Sequence, residues 1–219
     1  MTNRKITNTY FFTVDGETEL WYFEWLEKQI NENPDAKYRV SLKRKKKTPL
    51  KYAKSHTVLE RTEITHIFDF ESEEAVHTDH FFKMLDEMKK SELLGKQIKY
   101  KSGYSNFTFE LWMVLHKSDC SGSFAHRRQY LEPINRAYGE HFGNLDQYKH
   151  ENDFKRVLGK LCLEDVKNAV HRAKAITDKN EENGYTLHEY KTYKYYRENP
   201  SLAIWETVER ILCECGIMQ

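Results

Sequence analysis

The sequence predicts an α/β fold with a mostly parallel central sheet flanked by helices and a helical C-terminal extension. In the first half of the chain, short apolar or β-prone runs alternate with segments of helical periodicity, a pattern typical of βαβ units. After about His116 the strand signals fade and helical patterns dominate. We therefore expect an α/β core over residues 1–118 and a helical extension packed on it over residues 119–219.

The elements of the core follow from their apolar spacing. Tyr10–Val14 predicts a buried strand, and apolar residues at helical spacing predict a helix over about Glu19–Asn31. The run from Ser105 to His116 is the most apolar in the chain and predicts a buried helix capped by Ser105 or Asn106. The same spacing predicts the elements between them: a strand at Tyr38–Leu42, a helix at Lys51–Glu60, a strand at Thr65–Phe70, a helix at His80–Met88 and a strand at Lys96–Tyr100.

The second half predicts helices joined by polar segments. Asp178–Gly184 is rich in polar residues and predicts a loop. Tyrosines and cations interleave over Tyr190–Arg197, which suits base stacking but favours a helix face packed on the body. The helices are expected at Arg127–Tyr138, Phe154–Cys162, Glu164–Ile176 and Leu202–Cys213.

Composition narrows the class of protein. The chain has 219 residues with a net charge of +1, so its overall charge does not identify a partner. Its four cysteines do not have the paired spacing of a zinc site or a disulfide framework. No apolar run approaches the length of about 20 residues that spans a bilayer. We expect a cytoplasmic protein that does not contact a membrane.

Acidic residues follow two of the predicted strands. Asp15 and Glu19 come after the first strand, and Asp69 and Glu71 end a later one. The carboxyl ends of parallel strands meet at one edge of a sheet, where ligands bind in α/β folds. Neighbouring carboxylates repel each other unless a cation such as Mg²⁺ lies between them. The sequence therefore predicts a metal site at this edge.

Three segments carry a resemblance to a known family. Phe12–Phe23 contains an apolar strand, an acidic-Gly-x-Thr-Glu turn and a helix with an aromatic pair. Ile67–Glu71 ends a strand in two alternating carboxylates, and Ser105–His116 contains Ser-Asn-x-x-Phe-Glu-x-Trp. In these segments the chain resembles the RloB-like family, a branch of the Toprim fold. The resemblance is clear over about residues 8–116 and looser beyond.

The chain departs from the family pattern at three positions. Asp15 stands where Toprim proteins usually carry Glu, and Glu71 stands where they usually carry the second Asp. Phe107 replaces a proline of the third segment. The first two changes keep the charge and move the carboxylate by one methylene.

The resemblance implies a Toprim-type nuclease that uses Mg²⁺ or Mn²⁺ and cleaves DNA or RNA, tRNA included. Such proteins act in anti-phage defence, often beside a partner ATPase of the AAA or ABC type. Carried over by position, Asp15 takes the acid–base role with Glu19 in support. Asp69 and Glu71 take the metal, with Glu110 as a further ligand or as a structural partner.

A basic run offers a separate contact for nucleic acid. Five consecutive cations can bind phosphates by displacing counterions, although a solvated loop has the same composition. The run consists of Lys43, Arg44, Lys45, Lys46 and Lys47.

Two other functions fit the same residues. The chain could be a non-catalytic interaction subunit of an ATPase-containing defence complex, which the substitutions at Asp15 and Glu71 favour slightly. It could also be an enzyme acting on a small phosphorylated signal. A closed pocket would favour the small ligand, and a long basic groove would favour a polymer.

Overall fold

The central feature of the fold is a parallel sheet. The computed structural model describes residues 5–58, 60–70, 74–120, 122, 124 and 126–219. Within them, strands β1 (Thr7–Val14), β2 (Arg39–Lys46), β3 (Thr62–Phe70) and β4 (Ile98–Asn106) form one sheet in the order β2-β1-β3-β4. All three strand pairs are parallel. The predicted α/β fold with a parallel central sheet is confirmed.

Helices cover both faces of this sheet. Helices α2 (Pro49–Ser55) and α3 (Ala75–Glu92) pack on one face, in a core that includes Phe68 and Phe81. Helices α1 (Glu17–Glu32) and α4 (Glu110–Leu115) pack on the other. None of the described helices is both long enough and apolar enough to cross a membrane.

The second half of the chain completes the larger core. Side chains of its helices, such as Val166 and Val208, belong to the same hydrophobic cluster as Phe12 and Trp112. A 3₁₀ turn at Arg127–Tyr130 precedes the first of these helices. The helices are α5 (Leu131–Tyr138), α6 (Leu145–Tyr148), α7 (Glu151–Leu158), α8 (Leu163–Glu182) and α9 (Ile204–Glu214).

Two predictions for the second half were wrong. The tyrosine-rich segment is an antiparallel hairpin of β5 (His188–Tyr190) and β6 (Tyr193–Tyr195), because Lys191 and Thr192 adopt positive φ and turn the chain. The polar segment Asp178–Gly184 is mostly helical, since α8 continues to Glu182. Asn180 lies buried in this last part and its amide donates to the Pro200 carbonyl at 3.0 Å, so tertiary contacts hold a sequence that reads as a loop.

The basic run was also placed wrongly. It is not a loop after a short strand, because β2 continues to Lys46. The partner strand β1 pairs with it residue by residue up to Val14 opposite Lys46. Hydrogen bonding to β1 therefore extends β2 through residues that have a low intrinsic preference for strands.

The helix predicted from Ser105 begins later. Ser105 and Asn106 are the last residues of β4 and pair with Asp69 and Phe70 of β3. Phe107 then adopts a φ of 62°, and α4 begins only at Glu110. A positive φ interrupts both strand and helix geometry, so the most apolar run is split between a strand end and a short buried helix.

Alternation along β3 directs its side chains to the two cores. Phe68 and Phe70 belong to the cluster with α3, and Ile67 belongs to the cluster with α1 and α4. His66 stacks on Phe68 with ring centroids 4.9 Å apart, so it lies on the α3 side. Successive side chains point to opposite faces, which assigns Asp69 to the same face as Ile67.

His116 lies in the larger core as a neutral ring. Its Nδ1–H donates to the Trp112 carbonyl at 2.9 Å, and its Nε2 accepts from the Tyr22 hydroxyl at 3.1 Å. Because a carbonyl can only accept, these contacts assign the tautomer. Burial lowers the pKa of His116 to about 4.

This burial predicts a dependence of stability on pH. Between pH 6.5 and about 4 the unfolded chain takes up a proton on His116 that the folded protein does not. The free energy of unfolding should therefore decrease as the pH is lowered from 6.5 to about 4. This group contributes a decrease of up to about 1.4 kcal/mol per pH unit. Urea unfolding at pH 7, 6, 5 and 4 should show a smaller fall for His116→Gln than for wild type. Equal slopes for the two proteins would contradict the assignment.

Candidate functional site

The carboxyl ends of β1, β3 and β4 meet at one edge of the sheet. The backbone N–H of Asp15 donates to the carbonyl of Ile67 at 3.3 Å, which attaches the turn after β1 to β3. Asp69 lies two residues further along β3 and pairs in register with Ser105. Asp15 and Asp69 therefore both reach this edge.

Glu110 is fully buried at the start of α4. Its Oε2 accepts a short hydrogen bond from the Thr108 hydroxyl. Its Oε1 lies 3.3 Å from the Lys149 ammonium but has no well-directed hydrogen-bond donor among the described residues. A buried carboxylate oxygen with incomplete hydrogen bonding is costly, which marks this atom as a place for a ligand.

Glu19 lies buried in the first turn of α1. Its Oε2 accepts from the Thr18 hydroxyl at 3.0 Å. A Cβ at Gly16 would come within 2.3 Å of the same oxygen, so only glycine leaves room for this carboxyl. Burial raises the pKa of Glu19, and the Glu110 carboxylate adds to the rise, while its own backbone N–H and Lys149 oppose it.

Asp69 and Lys149 connect these carboxylates electrostatically. Burial lowers the pKa of the Lys149 ammonium, but the charges of Glu110, Asp69 and Glu19 together outweigh burial and raise it. Of the three carboxylates, Glu110 is the one in direct contact with this ammonium, at 3.3 Å. We refer to Glu19, Asp69 and Glu110 as the acidic set.

Two buried tyrosines border the acidic set. Tyr148 is fully buried and its hydroxyl has no hydrogen-bond partner among the described residues. Its pKa is raised by burial first and then by Glu110 and other neighbours. Tyr130 donates to the Asn199 amide oxygen at 3.0 Å. Burial also raises the pKa of Tyr130 well above its usual range, so both phenols remain protonated and can donate a hydrogen bond.

Asp15 contacts a different group of side chains. Its Oδ1 lies 3.5 Å from His66 Nε2 and its Oδ2 lies 3.8 Å from His80 Nε2. His66 is fully buried, with Nδ1 2.9 Å from the Thr13 hydroxyl and 3.2 Å from the Thr13 carbonyl. Burial, with a contribution from His80, lowers the pKa of His66 to about 3 despite the Thr13 contact. His66 is therefore neutral at physiological pH, and His80 is half exposed.

The structure thus divides the predicted site residues. Glu110 lies beside Lys149, whose ammonium also senses the charges of Asp69 and Glu19, and Asp15 lies beside His66 and His80 on the α3 side. Glu71, predicted as a metal ligand, lies outside the described residues.

The acidic set supplies ligands of the type that Mg²⁺ and Mn²⁺ prefer, namely carboxylate oxygens. The incompletely bonded Oε1 of Glu110 is consistent with a bound cation. In the described part of the chain, no three His, Cys, Asp or Glu side chains are grouped closely enough to hold a metal ion as they stand.

The basic run has two kinds of side chain. Arg44 pairs with Glu27 at 2.7 Å and Lys46 pairs with Glu17 at 3.0 Å. Lys43 and Lys45 are exposed on this edge strand and have no ion-pair partner among the described residues. Both line a groove with Lys47, Phe11, Trp21, Tyr52 and His56. Cations beside aromatic rings suit phosphates and bases, but charge on an edge strand also prevents pairing with other chains.

Asn106 has a structural role at the same edge. Its side-chain amide donates to the carbonyls of Tyr196, Arg197 and Glu198 at 3.1, 3.1 and 2.7 Å. The Ser-Asn pair of the third segment therefore attaches the segment before α9 to the end of β4.

Sequence reasoning missed Lys149, Tyr148, His66 and His80. Lys149 is one of many lysines and follows a single helical turn that no periodicity reveals. The two histidines lie 14 residues apart in sequence and meet only because α3 packs on β3. His66 alternates with Ile64 and Phe68 on a buried face, which is the one signal that could have identified it.

Comparisons with known proteins give one match. A family model described as RloB-like protein matches residues 10–211. No curated protein and no solved structure matched the chain in these comparisons.

Proposed function

The chain belongs to the RloB-like protein family, and we propose that it is a Mg²⁺- or Mn²⁺-dependent nuclease that cleaves phosphodiester bonds in DNA or RNA. The observation that carries the proposal is the buried Glu110 carboxylate, which has an incompletely bonded oxygen beside Lys149 at the carboxyl edge of the sheet. Such an edge is where α/β folds bind ligands.

Each residue of the acidic set has a role in this proposal. Asp69 and Glu110 hold the metal ion, which would neutralise charge on the scissile phosphate and lower the pKa of a coordinated water. Glu71 remains a proposed ligand from the resemblance. Glu19 has a raised pKa and is fixed by Gly16 and Thr18, so it can hold a proton at its carboxyl group and donate it.

Asp15 takes the other acid–base role in the proposal. It lies at the same sheet edge, although its carboxylate contacts the histidines of the α3 side. Neutral His66 lies 3.5 Å from this carboxylate, and its Nε2 makes no hydrogen bond among the described residues. His80 is half exposed and can pass a proton between Asp15 and water.

The proposal is tested by a nuclease assay on DNA and RNA panels with Mg²⁺ and Mn²⁺. Glu110→Gln keeps the shape of the side chain and removes its charge. Because a metal ligand is lost, we expect cleavage to fall by about 100-fold or more with a melting temperature close to wild type.

Glu132→Gln is the matched control. Glu132 is exposed, and its ion-pair partner in the described part of the chain is Arg136 one helical turn away, so its loss should leave cleavage unchanged. Full activity of Glu110→Gln with a lowered melting temperature would make Glu110 a structural partner of Thr108 and Lys149.

We further propose that the groove along β2 contacts the nucleic-acid backbone. Replacing Lys43, Lys45 and Lys47 with Gln should weaken binding to all sequences and lower the slope of log affinity against log salt by up to about 3. Fluorescence anisotropy at several salt concentrations measures both quantities. The control replaces the exposed Lys83, Lys90 and Lys179, which changes net charge equally elsewhere. Equal effects in the two triple variants would contradict a specific contact.

A non-catalytic interaction subunit is the second candidate function. The observation that favours it is the Lys149–Glu110 ion pair, which compensates the acidic set without a metal. In that case neither metal would support cleavage, and the acidic set would stabilise the fold.

On the resemblance alone, we propose a role in anti-phage defence under the control of an AAA- or ABC-type ATPase. Co-purification of the full chain with such an ATPase, and nuclease assays of the complex with ATP, would test it. Cleavage that does not respond to ATP in the complex would contradict control by the ATPase.

A further inference from the structure

Lys149 is held rigidly at its backbone beside the acidic set. The preceding residue, Tyr148, is fully buried, with its ring centroid 5.6 Å from that of Phe142 and 5.5 Å from that of Phe154. The backbone N–H of Lys149 donates to the Leu145 carbonyl at 2.9 Å. The side chain therefore starts from an anchored turn and extends to Glu110, where its ammonium lies 3.3 Å from Oε1.

The ammonium and a divalent cation would compete for the same oxygen. Glu110 Oε1 accepts no well-directed hydrogen bond from the described residues, so the ion pair with Lys149 is its main compensation. A metal ion would bind this oxygen at about 2.0–2.1 Å, which leaves two cations within a few ångströms of each other. Because the Glu110 carboxylate is fully buried, repulsion between two cations at its oxygen is only partly screened, so binding of one disfavours binding of the other.

We infer that Lys149 is a built-in counter-cation that competes with a divalent metal for Glu110 and Asp69 and withdraws when the metal binds. The inference rests on the proposed metal role of these carboxylates. It explains how a buried acidic set remains folded before metal loading, and it means that the lysine lowers the affinity for metal. Lys149 is a positioning residue in this account, because it acts on the ligands of the metal.

Mn²⁺ binding to the full chain, followed by electron paramagnetic resonance, tests the inference without a nuclease assay. Lys149→Met keeps most of the apolar stem and removes the charge. We expect it to bind Mn²⁺ about tenfold more tightly than wild type or more, because a resident positive charge is gone. Lys149→Arg should retain affinity at or below that of wild type.

Lys160→Met is the matched control. Lys160 has a similar exposed fraction, 38% against 36% for Lys149, and also pairs with a carboxylate, Glu140. It should leave Mn²⁺ affinity unchanged. An unchanged or weaker affinity in Lys149→Met would overturn the inference.

Adding Asp69→Asn separates this inference from the proposed function. If wild type binds Mn²⁺ through Asp69 and Lys149→Met binds no more tightly, the inference alone fails. If Asp69→Asn affects Mn²⁺ binding in neither background, the proposed metal site fails, and the inference fails with it.

A measurement on wild type covers the case in which Lys149→Met does not fold. Acylation of lysine amines by an N-hydroxysuccinimide ester, read by mass spectrometry, reports how readily each ammonium leaves its partners. Mn²⁺ should increase the labelling of Lys149 and leave that of Lys160 unchanged. Labelling of Lys149 that does not respond to Mn²⁺ would overturn the inference.

Discussion

Under the proposed function, Asp69→Asn is expected to abolish nearly all metal-dependent cleavage. Asparagine preserves the size of the side chain at the end of β3 and removes one of the charges that act on Lys149. A metal ion stabilises the charge of the transition state by several kcal/mol, and this stabilisation is lost with a ligand of the ion. We therefore expect kcat/KM to fall by about 100-fold to 1,000-fold. The measurement is cleavage of labelled DNA and RNA at several Mg²⁺ concentrations.

Asp35→Asn is the control for this substitution. Asp35 is exposed beyond the C-terminal end of α1, whereas Glu19 lies in the first turn of that helix, so the two positions are at opposite ends. This variant should cleave at the wild-type rate. Cleavage by Asp69→Asn within about threefold of wild type would contradict a metal role, since ligand loss costs far more.

Asn106→Asp is expected to have the largest effect on stability. The Asn106 amide donates to three carbonyls, and only its NH₂ group can satisfy acceptors in that position. Aspartate would place a buried carboxylate oxygen against the same carbonyls. We expect the free energy of unfolding to fall by about 3 kcal/mol or more, which corresponds to a melting temperature lower by about 6–12 °C.

Asn33→Asp makes the same change where the side chain accepts a hydrogen bond. Asn33 Oδ1 accepts from the backbone N–H of Asp35 at 2.9 Å on an exposed turn. Aspartate keeps this acceptor, so the stability should change by less than about 1 kcal/mol. Similar melting temperatures for the two Asp variants would show that the Asn106 amide does not hold the segment before α9.

The reinterpretation of the Ser-Asn segment shows how local and tertiary information differ. The apolar run from Ser105 correctly indicated burial, because α4 is fully buried. Its periodicity could not reveal that Ser105 and Asn106 complete β4, since parallel pairing with Asp69 and Phe70 depends on a strand more than 30 residues away. Glu110 was singled out as the one carboxylate in this run, and its need for a partner followed from the cost of burying a charge.

The sequence by itself determined the alternation of strands and helices and the burial of the aromatic-rich elements. It also determined that Asp15 and Asp69 lie at strand ends. These features depend on the periodicity of neighbouring residues, which is a local property. The tertiary structure alone decided which carboxylates share a space. The packing of α3 on β3 places Asp15 beside His66 and His80, and alternation on β3 directs His66 and Asp69 to opposite faces of the sheet. The turn after α6 brings Lys149 to Glu110 across 39 residues of sequence. Charges interact through distance in space and not along the chain, so a pattern of neighbouring residues does not contain this pairing.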